Sequence, residues 1–194
     1  MTRPGIAWVA LSAGFAICAL LGWRVPHELL DWQPTRAFIE PWRLLTPIAV
    51  HYSATHLIGN LAGVALAAAG GVAAMVPTRL AWAWLAAWPL THLGLLLRPD
   101  LQHYGGLSGL VHAGVAALVV WVLASARTRA QRVVGVAIAV GLLAKLLSEA
   151  PWGPALRRPE GWDITVAPLV HTTGAIAGTL CALVVIATLR FRTA

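Results

Sequence analysis

Six apolar segments, each close to the length of one membrane crossing, constrain this chain more than any other feature. A helix needs about 20 mostly apolar residues to span the hydrocarbon core of a bilayer. The segments occupy residues 6–23, 44–69, 80–97, 107–126, 133–149 and 164–189. A backbone inside a bilayer must satisfy its own hydrogen bonds, so apolar segments of this length predict helices. We therefore predict an all-α, polytopic membrane protein with six transmembrane helices.

The composition agrees with this architecture and argues against a soluble domain. Charged residues make up 11% of the 194 positions and hydrophobic residues 59%, whereas soluble domains carry about 25% charged residues. The polar sequence between the segments is too short for a separate module, so we expect one membrane domain over residues 1–194. The first segment is longer than the ~7–15-residue core of a signal peptide and lacks an A-x-A-like site, so we expect a retained helix.

Basic residues in the connecting segments indicate how the helices are oriented. The formal net charge is +7, but the arginines are dispersed between apolar segments and form no clustered basic face, so we expect no nucleic-acid partner. One side of the membrane holds every Asp and Glu. The other collects only basic residues in shorter connections, which is typical of the cytoplasmic side; these are Arg3, Arg79, Arg127, Arg129, Arg132, Arg190 and Arg192. Both termini are then predicted to be cytoplasmic.

Four polar side chains fall in one layer of the predicted bundle. The second, fourth and sixth helices all run inward, so their N-terminal parts share the outer layer. His56 and Asn60 lie four residues apart on the second helix, Ser108 begins the fourth, and His171 lies near the start of the sixth. Polar side chains within a membrane are costly, which makes each of them a functional candidate.

Ser108 has the surroundings expected of a nucleophile. A serine at a helix start lies beside unpaired backbone N–H groups that can stabilise an oxyanion. Its neighbour Gly106 permits close approach of a substrate backbone, and His171 is available as a general base. Small-xxx-small faces on the two helices would let their backbones pack together, which predicts a Ser–His hydrogen bond of about 2.6–3.2 Å. These faces are Gly109, Ala113 and Ala117 on the fourth helix and Gly174 and Gly178 on the sixth.

The same layer predicts a catalytic dyad with an oxyanion hole. Apart from Glu149 at the outer end of the fifth helix, no carboxylate lies near that layer within a helix, so we expect Ser108 and His171 to act without a third member. Glu149 is interpreted as the partner of Lys145 in a structural ion pair. His56 and Asn60 would supplement the backbone donors of the oxyanion hole.

Three motifs in this order resemble the rhomboid family of intramembrane serine proteases. They are "WRLLTPIAVHYSATHLIGN", with an H-x4-H-x3-N pattern, "GLSG" and "HTTGAIAG", and the resemblance covers residues 42–178. It implies a six-helix rhomboid-like bundle, Ser108 as nucleophile and His171 as general base. It also implies an oxyanion and substrate-binding region at His56, Asn60, Gly106, Leu107 and the N–H of Ser108, with His51 accessory and Trp42 and Arg43 structural.

His112, four residues after the serine, directs the resemblance to the rhombosortase branch. Many rhomboids carry a tyrosine at this position, whereas the form Y-x-G-L-S-G-x-x-H in so short a chain is similar to rhombosortases. That branch implies exported bacterial substrates with a C-terminal Gly-Gly motif, a transmembrane segment and a basic tail. It also implies an inner-membrane location, an active site facing the periplasm, and neither a metal nor an organic cofactor.

The polar residues of this layer also allow other interpretations. His112 shares a helix face with Ser108 and is a rival base, but side chains four residues apart rarely align for proton transfer, so we expect His112 to stack on His171. The protein could also be a rhomboid protease with other transmembrane substrates, a haem- or metal-binding histidine bundle, or a rhomboid relative that binds membrane helices without cutting them. His92 and His103 match no motif and are interpreted as structural.

Overall fold

Seven α-helices form the architecture of the described chain. The computed structural model describes residues 3–161 and 163–190, so Arg192 of the charge pattern lies outside it. Within that part, the fold is all-helical and contains no strand. The helices are α1 (Ile6–Gly22), α2 (His27–Leu30), α3 (Ala54–Ala73), α4 (Thr78–Leu93), α5 (Ser108–Ser125), α6 (Arg129–Ser148) and α7 (Pro168–Arg190). Three short 3-10 helices accompany them, at Pro41–Leu44, Thr46–Ala49 and Gly94–Leu97.

The six predicted membrane helices correspond to α1 and to α3 through α7. Five of these, counting the 3-10 extension of α4, are long and apolar enough to cross a membrane. The sixth, α1, is a shorter apolar helix of 17 residues, close to the lower limit for a span. The prediction of an all-α, polytopic membrane fold is therefore confirmed.

The second predicted helix began too early. The structure starts α3 at Ala54 instead of residue 44, where Ser53 caps the helix by accepting a hydrogen bond from the His56 backbone N–H at 3.1 Å. The preceding apolar residues form two 3-10 helices, each with a proline in its first turn. Proline fixes its own backbone and lacks the N–H that a continuing α-helix needs, so hydropathy alone could not locate this start.

Two later helices begin four residues away from the predicted position. α6 starts at Arg129 instead of residue 133, because Thr128 and Gln131 form a capping box in the polar residues before the apolar segment. α7 starts at Pro168 instead of residue 164. The residue before a proline disfavours the helical conformation, and residues 164–167 instead run as a non-helical segment.

Tryptophan side chains connect the core helices through their indole N–H groups. Trp8 of α1 donates to the carbonyl oxygen of Ala67 in α3 at 2.9 Å, and Trp84 of α4 donates to that of Leu110 in α5 at 2.8 Å. The two indoles stack with ring centroids 4.3 Å apart. Both are fully buried, so each contributes apolar area and satisfies its own polar atom.

Small residues bring α5 and α7 into backbone contact. A Cβ atom added to Gly174 would collide with the carbonyl oxygen of Gly109, and one added to Gly178 would collide with that of Ala113. Only glycine permits so close an approach, and the predicted small-xxx-small packing of these helices is confirmed. This seam, defined here as Gly109, Ala113, Gly174 and Gly178, sets the separation between the starts of α5 and α7.

A buried arginine organises the long connection between α1 and α3. Arg43 donates to the carbonyl oxygen of Asp31 at 2.6 Å, to its carboxylate at 3.0 Å and to the carbonyl of Glu28 at 2.9 Å. It also donates to the Glu40 carboxylate at 2.6 Å. Burial would raise the pKa of Glu40, but hydrogen bonds and charges from Arg43 and Arg36 hold it below its ordinary value. The expected structural role of Arg43 agrees with these contacts.

The same connection holds the segment that leads into α5. Trp32 and Tyr104 exchange two backbone hydrogen bonds, of 2.7 and 3.2 Å. The N–H of Gly106 donates to the carbonyl oxygen of Pro47 at 2.8 Å. His103 contacts the Asp31 carboxylate at 2.7 Å through Nδ1. The approach to Ser108 is therefore fixed by residues that lie more than 50 positions earlier in the chain.

Helix α6 is the most peripheral of the long helices. Among its described residues only Gly135 is buried, where it lies against Val122 and Leu123 of α5. Its apolar side chains are otherwise largely exposed, as expected of a helix that faces lipid; the exposed ones are Val133, Val134, Val136, Val140, Leu143 and Leu147.

Candidate active site

Backbone conformation places Ser108 at the first helical position of α5. Leu107 is the N-cap residue, with φ −86° and ψ −10°. Gly106 has φ +143°, a conformation that favours glycine. A Cβ atom at Gly106 would lie 2.9 Å from Nε2 of His56. The carbonyl of Gly106 accepts a hydrogen bond from the Tyr104 hydroxyl at 2.8 Å, which fixes the turn.

Ser108 and His171 are hydrogen-bonded. Oγ of Ser108 lies 2.8 Å from Nε2 of His171, within the predicted range for a nucleophile and its base. The side chain of His171 is 6% exposed and lies in the first turn of α7. The predicted proximity of these two side chains is therefore confirmed; their catalytic roles remain predictions.

A carboxylate completes a chain of three groups, which the expected dyad lacked. Oε2 of Glu149 lies 2.6 Å from Nδ1 of His171. Its other oxygen, Oε1, accepts from the ammonium of Lys145. The predicted Lys145–Glu149 ion pair is thus present, but the same carboxylate also contacts the imidazole. The expectation that Glu149 serves only as the ion-pair partner of Lys145, apart from Ser108 and His171, was wrong.

The end of α6 aims Glu149 at α7. The helix ends at Ser148, and Ala150 adopts a left-handed conformation with φ +47°. The guanidinium of Arg157 then donates to the Glu149 carbonyl oxygen at 2.7 Å, which satisfies a carbonyl that has no partner within the helix. Sequence spacing could not reveal this contact, because it depends on how α6 ends and on the fold of the connection to α7.

His112 stacks on His171, as expected from the sequence. The ring centroids are 4.2 Å apart and the planes differ by 14°. Nδ1 of His112 lies 2.7 Å from the carbonyl oxygen of Ser108, so this nitrogen donates to the backbone one turn back. His112 therefore packs against one face of the His171 ring. The hydroxyl of Ser108 is hydrogen-bonded to His171, and His112 bonds to the backbone carbonyl of Ser108.

A cavity of about 280 Å³ opens in front of Ser108. His56 and Asn60 of α3 line it together with Ser108 and His171. Among the described residues, Nδ2 of Asn60 and Nδ1 of His56 have no hydrogen-bond partner. Buried donors are normally paired, so a cavity lined by unpaired nitrogen atoms beside a serine suits a developing oxyanion.

Three other predicted site residues do not line this cavity. Leu107 is fully buried in the apolar core, and Gly106 does not line the cavity, whereas the preceding Gly105 does. His51 is buried next to His56, with ring centroids 4.8 Å apart. Burial, together with the nearby His56, lowers the pKa of His51 to about 4, so its imidazole is neutral at neutral pH.

The segment before α7 forms another wall that sequence reasoning missed. Residues 164–167 line the cavity, and Val166 exchanges two backbone hydrogen bonds with Arg157, of 2.7 and 2.8 Å. The apolar segment 164–189 predicts that these residues belong to the last helix, whereas the helix begins at Pro168. Pro168 was the available signal, because a proline commonly marks the first turn of a helix.

His92, which matches no motif, is structural in its contacts. His92 is fully buried in α4, and its Nδ1 lies 2.7 Å from the carbonyl oxygen of Leu44. It therefore anchors the first connection to α4 and lies outside the wall of the cavity.

The residues that form this site lie within a known protein family domain. A family model described as the rhomboid domain matches residues 39–188. The chain belongs to the rhomboid family. The matched range contains the hydrogen-bonded Ser108, His171 and Glu149. It also contains His56 and Asn60 of the cavity wall. Rhomboid proteins are in general intramembrane serine proteases that act on membrane protein substrates within the bilayer, and this chain is accordingly an integral membrane protein.

Part of this chain is also similar in sequence to part of a much longer protein. A UPF0182 protein of Synechococcus sp. (strain CC9902) is 30% identical over 120 residues. The similarity covers 59% of this chain but only 13% of that protein. The chain therefore spans a small part of that relative.

Proposed function

We propose that this rhomboid protein is an intramembrane serine endopeptidase with Ser108 as nucleophile and His171 as general base. The observation that carries the proposal is the 2.8 Å hydrogen bond between Ser108 Oγ and His171 Nε2, at a helix start beside a cavity. An Oγ–H group that donates to a neutral imidazole is arranged for attack on a carbonyl carbon.

Each step of the proposed hydrolysis has a group to perform it. Ser108 Oγ forms a bond to the scissile carbonyl carbon, and its proton passes to Nε2 of His171. When the C–N bond breaks, that proton passes to the leaving amine. Water then attacks the carbonyl carbon of the acyl-enzyme while one of its protons passes to Nε2 of His171. The bond between that carbon and Ser108 Oγ breaks, the proton returns from His171 to Oγ, and the new carboxyl end is released.

The oxyanion formed in the first step would face several donors. The backbone N–H groups at the start of α5 have no partners within the helix, and Nδ2 of Asn60 is unpaired among the described residues. The ring of His56 faces the same cavity. Donors that are fixed before the reaction stabilise charge without reorganisation.

For the substrate, we infer a membrane-anchored protein whose C-terminal transmembrane segment is removed near the outer face of the bilayer. A substrate helix must unwind there to expose a carbonyl, and glycines near the cut lower that cost. The resemblance to rhombosortases supports exported proteins with a Gly-Gly sorting anchor. The arginine-only connections support cytoplasmic termini in a bacterial inner membrane, with the cavity toward the periplasm.

Labelling with a fluorescent fluorophosphonate tests the nucleophile. We expect the purified protein in detergent to be labelled on Ser108, and Ser108→Ala and His171→Ala to abolish or strongly slow labelling. Ser125→Ala is the matched control, because Ser125 lies at the opposite end of the same helix and its hydroxyl donates to the carbonyl oxygen of Trp121. Labelling that persists in Ser108→Ala would exclude this nucleophile.

Co-expression tests the substrate class. An exported protein with a Gly-Gly motif, a transmembrane anchor and a basic tail should lose its anchor in cells with the native chain and keep it with Ser108→Ala. If the protein labels on Ser108 but leaves this substrate intact, the rhombosortase assignment fails and a rhomboid protease with other transmembrane substrates remains.

The histidine geometry favours a protease over a haem- or metal-binding bundle. Both ring nitrogens of His171 are hydrogen-bonded, to Ser108 and Glu149. His112 stacks face to face on His171, so the two rings cannot direct their nitrogens at one ion. A non-catalytic relative would not require the Ser108 hydroxyl to be aligned with an imidazole.

A further inference from the structure

We propose that Glu149 is a positioning residue for His171, so that this site acts as a Ser–His–Glu triad. The inference rests on the proposed function and deepens it. It is carried by the 2.6 Å contact between Glu149 Oε2 and His171 Nδ1 and by the 2.8 Å contact on the other side of the ring. The three groups form one continuous line across the imidazole.

The carboxylate selects the reactive tautomer of His171. An ionised carboxylate is only an acceptor, so Nδ1 must carry the proton that Glu149 accepts as a hydrogen bond. Nε2 is then left with the lone pair that receives the Ser108 proton. When His171 becomes an imidazolium, the negative charge beside Nδ1 stabilises it, and Glu149 itself takes no proton.

Lys145 keeps Glu149 in the form that this role requires. Its ammonium contacts Oε1 of the same carboxylate, which favours the ionised state. The Glu149 side chain is 15% exposed, whereas that of Lys145 is 51% exposed. The ammonium therefore stays solvated while the carboxylate reaches inward, and the two contacts use different carboxylate oxygens.

The surrounding structure fixes Glu149 from the backbone as well. Arg157 binds its carbonyl oxygen, and the left-handed Ala150 turns the chain immediately after it. His112 stacks on one face of the His171 ring and leaves the ring edge to Glu149. Both Glu149 and His171 are thus fixed by their own neighbours, as a carboxylate that orients a catalytic histidine requires.

The kinetics of fluorophosphonate labelling test the positioning role without requiring a substrate. We expect Glu149→Gln to lower the limiting labelling rate by on the order of 10²–10⁴, as loss of the carboxylate does in soluble triads, with little change in reagent affinity. Glu149→Asp keeps a carboxylate and should recover part of the rate. Lys145→Met keeps the His171 contact and should cost less than Glu149→Gln. Glu160→Gln, on an exposed loop, is the control.

A second readout is independent of reactivity. In protein with ¹⁵N-labelled histidine, the Nδ1–H proton of His171 should give a downfield resonance that is absent in His171→Ala and moves upfield in Glu149→Gln. An unchanged resonance and an unchanged labelling rate in a folded Glu149→Gln variant would overturn the positioning role. Failure of the proposed function would look different, since the native protein itself would not label while the resonance remained.

Discussion

At the scale of single residues, Gly106 shows how closely the approach to Ser108 is specified. Its φ of +143° is costly for any other residue, and its missing side chain leaves room for the His56 ring. Gly106 therefore allows the His56 ring to lie close to the turn that leads to Ser108.

We predict that Gly106→Ala lowers the labelling rate of Ser108 by about tenfold or more. Backbone strain of about 1–3 kcal/mol and a Cβ atom 2.9 Å from His56 Nε2 would displace either the ring or the serine. The measurement is the fluorophosphonate labelling rate at constant protein concentration. Gly14→Ala serves as control, because nothing lies within 4 Å of a Cβ there. Equal rates in the two variants would contradict this account.

At this scale the sequence predicts the contact between Ser108 and His171, but not the carboxylate of Glu149 that also contacts His171. Ser108, His171, His56 and Asn60 could be predicted because each is polar in an apolar helix, where such residues are costly. Glu149 was visible as an acidic residue at a helix end. Its contact with His171, 22 positions later, depends on the end of α6, and an ion pair with Lys145 was sufficient to explain it locally.

At the scale of elements, the seam between α5 and α7 sets the distance between Ser108 and His171. The carbonyl oxygens of Gly109 and Ala113 occupy the space where side chains would be on Gly174 and Gly178. Ser108 lies one residue before Gly109, and His171 lies three residues before Gly174. A change in the separation of the two helices therefore changes the length of the hydrogen bond between Ser108 and His171.

We expect Gly178→Ala to destabilise the protein, by about 1–3 kcal/mol, as other overpacked sites are. The new Cβ would meet the backbone of Ala113, so the helices must move apart and labelling of Ser108 should also slow. Thermal unfolding in detergent measures the loss. Gly141→Ala on α6 is the matched control, since a Cβ there meets nothing within 4 Å and alanine favours a helix. A Gly178→Ala protein as stable as the control would refute the seam.

Helix existence could be predicted from sequence, while some helix starts could not. Length and hydropathy identified α1 and α3 through α7, because a bilayer leaves few alternatives to a helix. The start of α3 at Ala54 depends on capping by Ser53 and on the 3-10 helix around Pro47. An apolar run looks the same in either conformation, so only these local signals distinguish them.

At the scale of the whole molecule, the connection between α1 and α3 supports the site from outside the bundle. Arg43 joins Asp31 and Glu28, the adjoining Trp32 pairs with Tyr104, and Tyr104 holds the carbonyl of Gly106. A continuous set of hydrogen bonds thus leads from a buried guanidinium to the turn before Ser108.

Arg43→Met should lower stability by about 3–5 kcal/mol, the usual cost of breaking a buried ion pair. The variant leaves the Asp31 carboxylate, 3% exposed, without its arginine. Arg36→Met provides the comparison, because the Arg36 side chain is 48% exposed and pairs with Glu40 at the surface, where such pairs contribute about 0–1 kcal/mol. Thermal unfolding of both variants in detergent decides the matter; similar losses would contradict a central role for Arg43.

The order of the site residues along the chain has a consequence for biosynthesis. Ser108 begins α5, Glu149 follows the last residue of α6, and His171 lies in the first turn of α7, so the three are synthesised in that order. A nascent chain that ends before α7 carries the hydroxyl of Ser108 but lacks the imidazole that we propose as its base. On the proposed function, such a chain would be inert, and it would become reactive only when α7 docks against α5.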